Sequence, residues 1–307
     1  MSDNICNPLV LVHGGAGGDQ RDEDGCGRAA SAGMARLDEG GDALSAAVAA
    51  VVALEDDGRF NAGSGAVLCL DGQTIEMDAS VMDTRGTLGA VACVQRVKNP
   101  VLVALAVANT PHWLLAGEGA ERFARRAGFP EPSPANGRVL QRHAELIRQL
   151  DGAAPVLPGV DNTAFEQDWN YALPYPGRLG PAPQHACDTV GAVARDAAGH
   201  FAVACSTGGA APSLLGRVGD TPIIGSGFFA GPSGAVAATG IGEHIVRHLL
   251  CHTVYQWLAS GMPLLQALRR GVELFGGEID IGLIAVSRDS AGSDSNRAMP
   301  QAQASHG

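Results

Sequence analysis

A proline-rich stretch separates two compact parts of this 307-residue chain. Nine of the 17 prolines fall between residues 130 and 183, interrupted by one helical pattern at residues 139–150. Prolines break helix interiors and remove backbone donors from strands, so the stretch favours an extended linker over about 151–187. The pattern of a buried strand resumes abruptly at Thr189, in the run Thr-Val-Gly-Ala-Val. The sequence therefore predicts two parts, residues 1–188 and 189–307, with the linker at the end of the first, and a length of 307 residues allows one large domain or two small ones.

Both parts contain hairpin patterns, with helical patterns grouped between them. Apolar runs around short polar turns predict hairpins over residues 66–77, 88–108 and 189–206. Periodic apolar residues predict helices over 27–39, 42–54, 110–126, 243–260 and 263–275, with Asp42 as an N-cap. A last strand is predicted at 280–287, and the polar residues 289–307 are expected to be disordered. Hairpins and helices in separate groups favour a layered α+β fold over alternating βαβ units.

The composition excludes several classes of protein. Apolar residues make up 46% and charged residues 17%, which supplies a core and excludes a disordered chain. With 21 Lys and Arg against 32 Asp and Glu, the net charge of −11 argues against a nucleic-acid partner. No apolar run approaches the roughly 18 residues of a membrane span, and the first residues do not resemble a signal peptide. Seven cysteines without a CxxC pair indicate free thiols, so we expect a cytoplasmic protein with no membrane partner.

Familiar nucleotide, metal and nucleophile motifs do not match the sequence. The glycine loop at residues 14–18 follows a predicted strand, but Gln20 stands where a dinucleotide fingerprint requires glycine. That loop is either a backbone cradle for a ligand or a plain turn. His244, His248 and His252 recur at helical spacing, yet no adjacent acid or cysteine completes a recognisable metal set, so a solvated polar face is favoured. The local signatures of serine and cysteine nucleophiles are missing as well.

Thr189 becomes chemically interesting because of its position. A threonine that starts an apolar strand usually reflects β-propensity alone. Here it directly follows the linker, so cutting the bond after Asp188 would turn it into a chain terminus at a strand end. Its α-amine, with an ordinary pKa near 7.7–8.0, could then accept the proton of its own hydroxyl. The hydroxyl could make the cut itself by attacking the Asp188 carbonyl, which gives an ester that water hydrolyses. We therefore hypothesise that one residue supplies both nucleophile and base.

Eight ordered motifs between residues 9 and 287 resemble the plant-type asparaginase and isoaspartyl peptidase family of N-terminal-nucleophile hydrolases. They are LVHGGAG (11–17), FNAG (60–63), MDASVMD (77–83), TPHWLLAGEGAE (110–121), DTVGAV (188–193), STGG (206–209), GRVGD (216–220) and TGIGE (239–243). The resemblance implies a single α+β domain, 1–307, folded as a four-layer αββα sandwich and made as a precursor that cuts itself before the threonine. The products would be an α subunit, 1–188, and a β subunit, 189–307, which associate as a dimer of αβ units. The implied reaction is hydrolysis of β-aspartyl amides, namely L-asparagine and isoaspartyl dipeptides.

The resemblance also implies which residues perform the chemistry. Thr189 would be the nucleophile, and Thr207 would hold and polarise its hydroxyl. Thr239 and the backbone of Gly240 would form the oxyanion hole, with Asn61 nearby and pointing towards the nucleophile. From the residues alone, Thr207 and Thr239 could instead be turn residues that bond to their own backbone.

A second group of residues would bind the substrate and an ion. Arg217 would grip the α-carboxylate of an aspartyl group and Asp220 its α-ammonium, with Gly242 beside them. Three positions apart in a glycine-rich loop, Arg217 and Asp220 could instead pair with each other. No cofactor is implied for catalysis, but a structural sodium ion is. Its ligands would be the backbone carbonyls of Leu54, Glu55, Asp57, Phe60, Ala62 and Ser64.

The sequence departs from the family pattern at three places, one of which is a spacing from Asp220 to Thr239 that is one residue short. Asp188 stands where asparaginases commonly have glycine, which resembles glycosylasparaginase or the threonine endopeptidase branch. Residues 210–215 lack the Asn-Lys usual after the STGG motif. Two alternatives to the implied activity therefore stay open: a glycosylasparaginase-like amidase, and an uncleaved homologue that binds a ligand without turning it over.

Overall fold

The computed structural model of this chain describes residues 6–132, 134–150, 167–172 and 189–306. Most of the predicted linker and the predicted cleavage residue Asp188 lie outside the described residues. The division into residues 1–188 and 189–307 therefore stays a prediction. Within the described ranges, no helix combines the length and apolar character that crossing a membrane requires.

Eleven strands in the described ranges form two sheets. They are β1 (Leu9–His13), β2 (Met77–Asp83), β3 (Leu88–Val94), β4 (Leu114–Ala116), β5 (Val190–Arg195), β6 (Phe201–Thr207), β7 (Phe228–Gly231), β8 (Gly234–Gly240), β9 (Ile281–Val286), β10 (Ala291–Ser295) and β11 (Gln301–Ser305). One sheet has seven strands in the order β11-β1-β5-β6-β2-β3-β4, and the other has four in the order β10-β9-β8-β7. Neighbouring strands are antiparallel except β3 and β4, which are parallel.

Helices cover the outer faces of both sheets. The described α-helices are α1 (Glu23–Asp38), α2 (Ala43–Asp57), α3 (Pro100–Val107), α4 (Gly117–Arg126), α5 (Gly137–Leu150), α6 (Gly242–His248), α7 (Leu250–Ala259) and α8 (Leu264–Val272). Helices α1, α2 and α3 pack on the seven-stranded sheet, while α7 and α8 pack on the four-stranded sheet. The predicted cap of α2 is confirmed, since Asp42 Oδ1 accepts a hydrogen bond from Ser45 N at 2.8 Å.

Three separate apolar cores divide the molecule into four layers. Successive side chains of β1 point to opposite faces, so Val10 and Val12 join the core beneath α1 and α2. Leu9 and Leu11 join a second core between the two sheets. Leu283 of β9 belongs to a third core beneath α7 and α8. This arrangement confirms the predicted α+β fold, a four-layer αββα sandwich.

Helix α3, Pro100–Val107, replaces the second strand predicted for the 88–108 hairpin, so that strand prediction is wrong. The run Pro-Val-Leu-Val-Ala-Leu-Ala-Val is apolar on every side, and periodicity cannot distinguish a buried strand from a buried helix in such a run. Pro100 lies in the first turn of the helix, where a missing amide hydrogen costs nothing. Val101, Val103 and Val107 are all fully buried in this conformation.

Two other elements differ from their predictions because their backbone groups pair with other strands than expected. Residues 66–76 form a turn, closed by a hydrogen bond from Cys69 N to Thr74 O at 2.8 Å, rather than a hairpin. The strand that follows this turn, β2, pairs instead with β3 and β6. The helix predicted over 110–126 begins only at Gly117, because residues 114–116 pair with β3 as a short strand.

The helix predicted over 243–260 is two helices, and the predicted disordered tail is wrong. Leu249 adopts φ 43° and ψ 52°, a left-handed conformation that separates α6 from α7. Residues 291–295 and 301–305 form the edge strands of the two sheets. Neighbouring elements cover edge strands only in part, so polar side chains can occupy them. The polar composition of these residues therefore gave no sign that they pair as strands. The glycine-rich hairpin of β7 and β8 was likewise not predicted.

The buried carboxyl of Asp78 on β2 should couple stability to pH. Burial raises the pKa of Asp78 from 3.8 to about 6, although Cys93 N donates to Oδ1 at 2.8 Å. The folded chain therefore binds this proton more tightly than the unfolded chain, so the free energy of unfolding falls as pH rises from about 4 to 6. Asp78→Asn should remove roughly 3 kcal/mol of that decline, measured by urea unfolding at pH 4 and pH 7.

Asp71→Asn is the matched control for the Asp78 prediction. Partial burial alone would raise the pKa of Asp71, but hydrogen bonds from Thr74 and Gln73 lower it overall. This carboxylate stabilises the fold at neutral pH and loses its contribution as pH falls, so its replacement should change the pH dependence in the opposite direction. Equal pH dependence in wild type and Asp78→Asn would contradict the prediction.

Candidate functional site

The predicted site residues meet at one end of the sandwich. Thr189 directly precedes β5, Thr207 ends β6, and Thr239 with Gly240 ends β8. The predicted hairpin of β5 and β6 is confirmed, and it sets Thr189 beside the end of β6. These ends surround a small, partly open cavity. Its lining consists of Thr189, Thr207, Gly209, Ala210, Arg217, Gly219, Asp220, Thr221 and Gly240.

Thr189 is buried and bonded through both of its polar groups. Its backbone N donates to Thr239 Oγ1 at 3.3 Å, and its Oγ1 lies 3.4 Å from Thr221 Oγ1. Thr239 Oγ1 also accepts from Ala16 N at 3.2 Å. A hydroxyl has two acceptor lone pairs and one hydrogen, so Thr239 can accept both amides and still donate to a third partner. The nitrogen that scission would convert to an amine is therefore already fixed beside a hydroxyl.

Asn61 and Thr207 form a braced turn behind the cavity. Thr207 Oγ1 accepts from Gly209 N at 3.1 Å, so the predicted alternative of a turn residue describes part of its role. Asn61 Nδ2 donates to Gly209 O at 2.8 Å, and its Oδ1 accepts from Val67 N at 3.0 Å. The polar ends of Asn61 thus hold the 207–209 turn in place. Among the described residues, the Asn61 side chain bonds to backbone groups of that turn and of Val67, and its predicted orientation towards the nucleophile stays a prediction.

Arg217 presents an oriented cation to the cavity. Its Nε and Nη2 form a bidentate ion pair with Glu243, at 2.8 Å to Oε1 and 2.7 Å to Oε2. Such paired bonds fix the plane of a guanidinium as well as its position. Nη1 is turned towards Gly209 and Gly219, both in the cavity lining. Glu243 was not predicted as a site residue, although it ends the TGIGE motif.

Asp220 places a buried carboxyl at the cavity wall. Burial raises its pKa to about 7, against the lowering influence of Arg217. Its Oδ2 is buried and has no hydrogen-bond partner among the described residues. A Cβ on Gly242 would lie 2.8 Å from Asp220 Oδ1, so glycine is needed there to leave room for the carboxyl. A buried carboxylate oxygen without a partner is suited to bind a small cation such as an α-ammonium group.

Two further residues near Thr189, Thr221 and His13, were not predicted as site residues. Thr221 follows Asp220 directly, and its hydroxyl oxygen lies 3.4 Å from the Thr189 hydroxyl oxygen. His13 is fully buried opposite Gly191 of β5, and burial lowers its pKa to about 3, which the Thr189 backbone offsets only in part. His13 is therefore a neutral ring at neutral pH. Its place within the LVHGGAG motif was the available signal.

The glycine loop after β1 acts as a support for the site. Gly14 N donates to Pro300 O at 2.8 Å and Gly17 N to Ala298 O at 2.7 Å, while Ala16 N donates to Thr239. These amides are bonded to protein groups instead of facing a ligand. The alternative of a ligand cradle at this loop is therefore not favoured.

The helix histidines lie apart from the cavity lining. The ring of His248 packs edge-on against Phe275, and that of His252 against Phe229, each with centroids 5.0 Å apart. The left-handed residue between α6 and α7 interrupts the helical spacing that would have aligned these rings. Among the described residues, no group of three or more His, Cys, Asp or Glu side chains could hold a metal ion.

The segment that would hold sodium curls tightly around its own backbone. Gly58 and Gly63 adopt φ 78° and φ 52°, the left-handed conformations that glycine permits. Glu55 O accepts from Ser64 Oγ at 2.7 Å, and Phe60 O accepts from Ala62 N at 2.9 Å. Backbone carbonyls gathered by such a loop are the hard oxygen donors that suit an alkali cation.

Comparison with known proteins agrees with this architecture. The Asparaginase family model (Asparaginase_2) matches residues 6–304. An isoaspartyl peptidase/L-asparaginase of Macaca fascicularis is 38% identical over 85% of this chain and 80% of its own length. A homologue of the same name from Danio rerio is 40% identical over 83% and 77%. A plant-type L-asparaginase of Pyrococcus horikoshii is 37% identical over 92% and 90%. This chain belongs to the Asparaginase_2 family.

Proposed function

We propose that this protein hydrolyses β-aspartyl amide bonds, in L-asparagine and in isoaspartyl dipeptides. The observation that carries the proposal is the shared cavity of Thr189, Arg217 and Asp220. It sets a nucleophilic hydroxyl beside a cation and a buried anion, which complement the α-carboxylate and α-ammonium of an aspartyl group. The names of the relatives at 37–40% identity support the same substrates.

Catalysis begins with the release of Thr189 as a chain terminus. The Thr189 hydroxyl attacks the carbonyl carbon of Asp188 and displaces the Thr189 nitrogen, which leaves an ester. Water hydrolyses that ester and yields a new carboxyl terminus on Asp188 and a free amine on Thr189. The fixed contact between Thr189 N and Thr239 Oγ1 supports this step, because it holds the leaving nitrogen in place.

The released amine then serves as the base for the hydrolytic reaction. It takes the hydroxyl proton while Thr189 Oγ1 attacks the side-chain amide carbon of the substrate. Thr239 and Gly240 N stabilise the oxyanion, and the amide nitrogen leaves as ammonia or as the amine of a dipeptide's second residue. Water then cleaves the aspartyl ester, which releases aspartate and regenerates the threonine. Thr207 and Thr221 orient the hydroxyl from the cavity wall.

Three further properties belong to this proposal. The carbonyls of Leu54, Glu55, Asp57, Phe60, Ala62 and Ser64 would hold a structural sodium ion, which takes no part in the chemistry. Two αβ units would associate through a dimer interface. A reducing, cytoplasmic compartment is supported by the six free cysteines of the described residues, at positions 6, 26, 69, 93, 205 and 251.

A side-by-side substrate assay tests the proposed function. The purified 31.3 kDa chain should give fragments of about 20 and about 12 kDa on a denaturing gel. It should release ammonia from L-asparagine and leucine from β-Asp-Leu. Activity on an N-glycosylated asparagine alone would favour the glycosylasparaginase alternative. One uncut band without turnover of any of the three substrates would favour a binding homologue and contradict the proposal.

A further inference from the structure

Residues 169–171, which we name the strap, lie within the proline-rich stretch and pack against the loop 213–216. Asn170 and Leu215 exchange two hydrogen bonds: Asn170 Nδ2 donates to Leu215 O at 2.9 Å, and Leu215 N donates to Asn170 Oδ1 at 3.0 Å. This reciprocal pairing imitates the pairing of neighbouring strands, with the side-chain amide in place of a peptide group. The strap therefore satisfies both backbone groups of Leu215.

Tyr171 anchors the strap. Its side chain is buried at 8% exposure, and its hydroxyl donates to Ser213 O at 2.8 Å. Burial raises the pKa of Tyr171 above its ordinary value, so the phenol remains a neutral donor across the physiological range. The ring of Trp169 packs on that of Tyr171 with centroids 4.6 Å apart. A buried aromatic anchor with a satisfied hydroxyl is a stable attachment.

The 213–216 loop leads directly into the cation of the cavity. Glu76 Oε2 accepts from Gly216 N at 2.6 Å, so the loop is held from β2's side as well as by the strap. Arg217 N donates to Leu214 O at 3.2 Å, which closes the turn that places Arg217. The strap, the loop and the Arg217 guanidinium thus form one connected series of contacts.

We propose that the strap is a positioning element for substrate binding, which acts through the 213–216 loop on Arg217. This rests on the proposed function, in which Arg217 binds the α-carboxylate of the substrate. Because the strap precedes residue 189 and the loop follows it, scission would leave the strap bound to the loop by these non-covalent contacts alone. Residues 169–171 are not among the described residues that line the cavity around Thr189, so the strap governs the Michaelis constant rather than the chemical step.

Kinetics of two strap variants test this inference with L-asparagine. Asn170→Ala and Tyr171→Phe each remove hydrogen bonds to the loop, so each should raise KM about 3- to 10-fold while kcat stays within twofold of wild type. Asn109→Ala is the matched control, since the Asn109 side chain donates locally to Leu105 O of α3, and its KM should be unchanged. A fall in kcat with unchanged KM, or no change in either variant, would overturn the inference.

Hydrogen exchange gives a second readout that does not depend on turnover. The amides of residues 215–217 should exchange at least several-fold faster in Tyr171→Phe than in wild type, while those of β6 should not change. Equal exchange rates of these loop amides in Tyr171→Phe and wild type would refute the positioning role of the strap, even if KM changed. If wild-type protein hydrolyses neither L-asparagine nor β-Asp-Leu, the proposed function fails, whereas the exchange result still decides whether the strap holds the loop.

Discussion

Thr189→Ala is expected to leave the chain as a single 31.3 kDa polypeptide and to abolish turnover of L-asparagine. The variant lacks the hydroxyl that both proposed reactions require, and without scission no α-amine is available as the base. Loss of a covalent nucleophile in a hydrolase costs on the order of 10⁴-fold or more in kcat. The gel and an ammonia-release assay on the same preparation measure both consequences.

Two variants separate the chemistry of Thr189 from its packing. Thr189→Ser keeps a hydroxyl and an amine, so it should still be cut and still release ammonia, at lower rates. Thr253→Ala removes the same atoms from a half-buried threonine of α7, whose hydroxyl donates to His248 O at 2.8 Å, and it should behave as wild type. A Thr189→Ala protein that is still cut before residue 189 and still active would refute the mechanism. Active wild-type protein whose only amino terminus is Met1 would do the same.

The layered fold was predictable because its central strands either alternate apolar and polar residues or form short segments that are apolar throughout. The hairpin of β5 and β6 and the capped helix α2 both follow from local signals, namely a four-residue turn and Asp42. Predictions failed where the burial of a whole helix or the pairing of an edge strand determines the structure instead of the local pattern of apolar residues. Helix α3 is apolar on all sides, and the edge strands β10 and β11 are polar, so neither carries the periodicity of its actual structure.

The candidate site was predictable at motif positions and not between them. Thr189, Arg217 and Asp220 lie in glycine-flanked motifs, and the structure places them around one cavity. The partner of Arg217 could not be deduced from spacing, because Glu243 reaches it from a helix 26 residues further along the chain. Thr221 is adjacent to a recognised motif, but only the turn of the backbone brings its hydroxyl towards Thr189. Long-range contacts of this kind depend on the packing of the two sheets.

Asp220→Asn should raise the KM for L-asparagine at pH 8 by about 100-fold, because a neutral amide cannot pair with the substrate's α-ammonium. In wild type, the cavity raises the pKa of Asp220 to about 7, so the carboxyl is charged above that pH and neutral below it. Wild-type KM should therefore be constant above pH 7 and rise towards tenfold per unit below it, reaching about 100-fold at pH 5. Asp220→Asn should show a high KM without this rise.

Succinamate identifies the group that Asp220 recognises. It carries the amide and the carboxylate of L-asparagine but no α-ammonium, so Arg217 can bind it while Asp220 has no cation to meet. The Asp220→Asn substitution should change the KM for succinamate by less than threefold, since no ion pair is lost. The wild-type KM for succinamate should not rise as pH falls from 7 to 5. A KM for L-asparagine that is independent of pH over this range, or an equal loss for both substrates, would show that Asp220 supports the cavity without binding the α-ammonium.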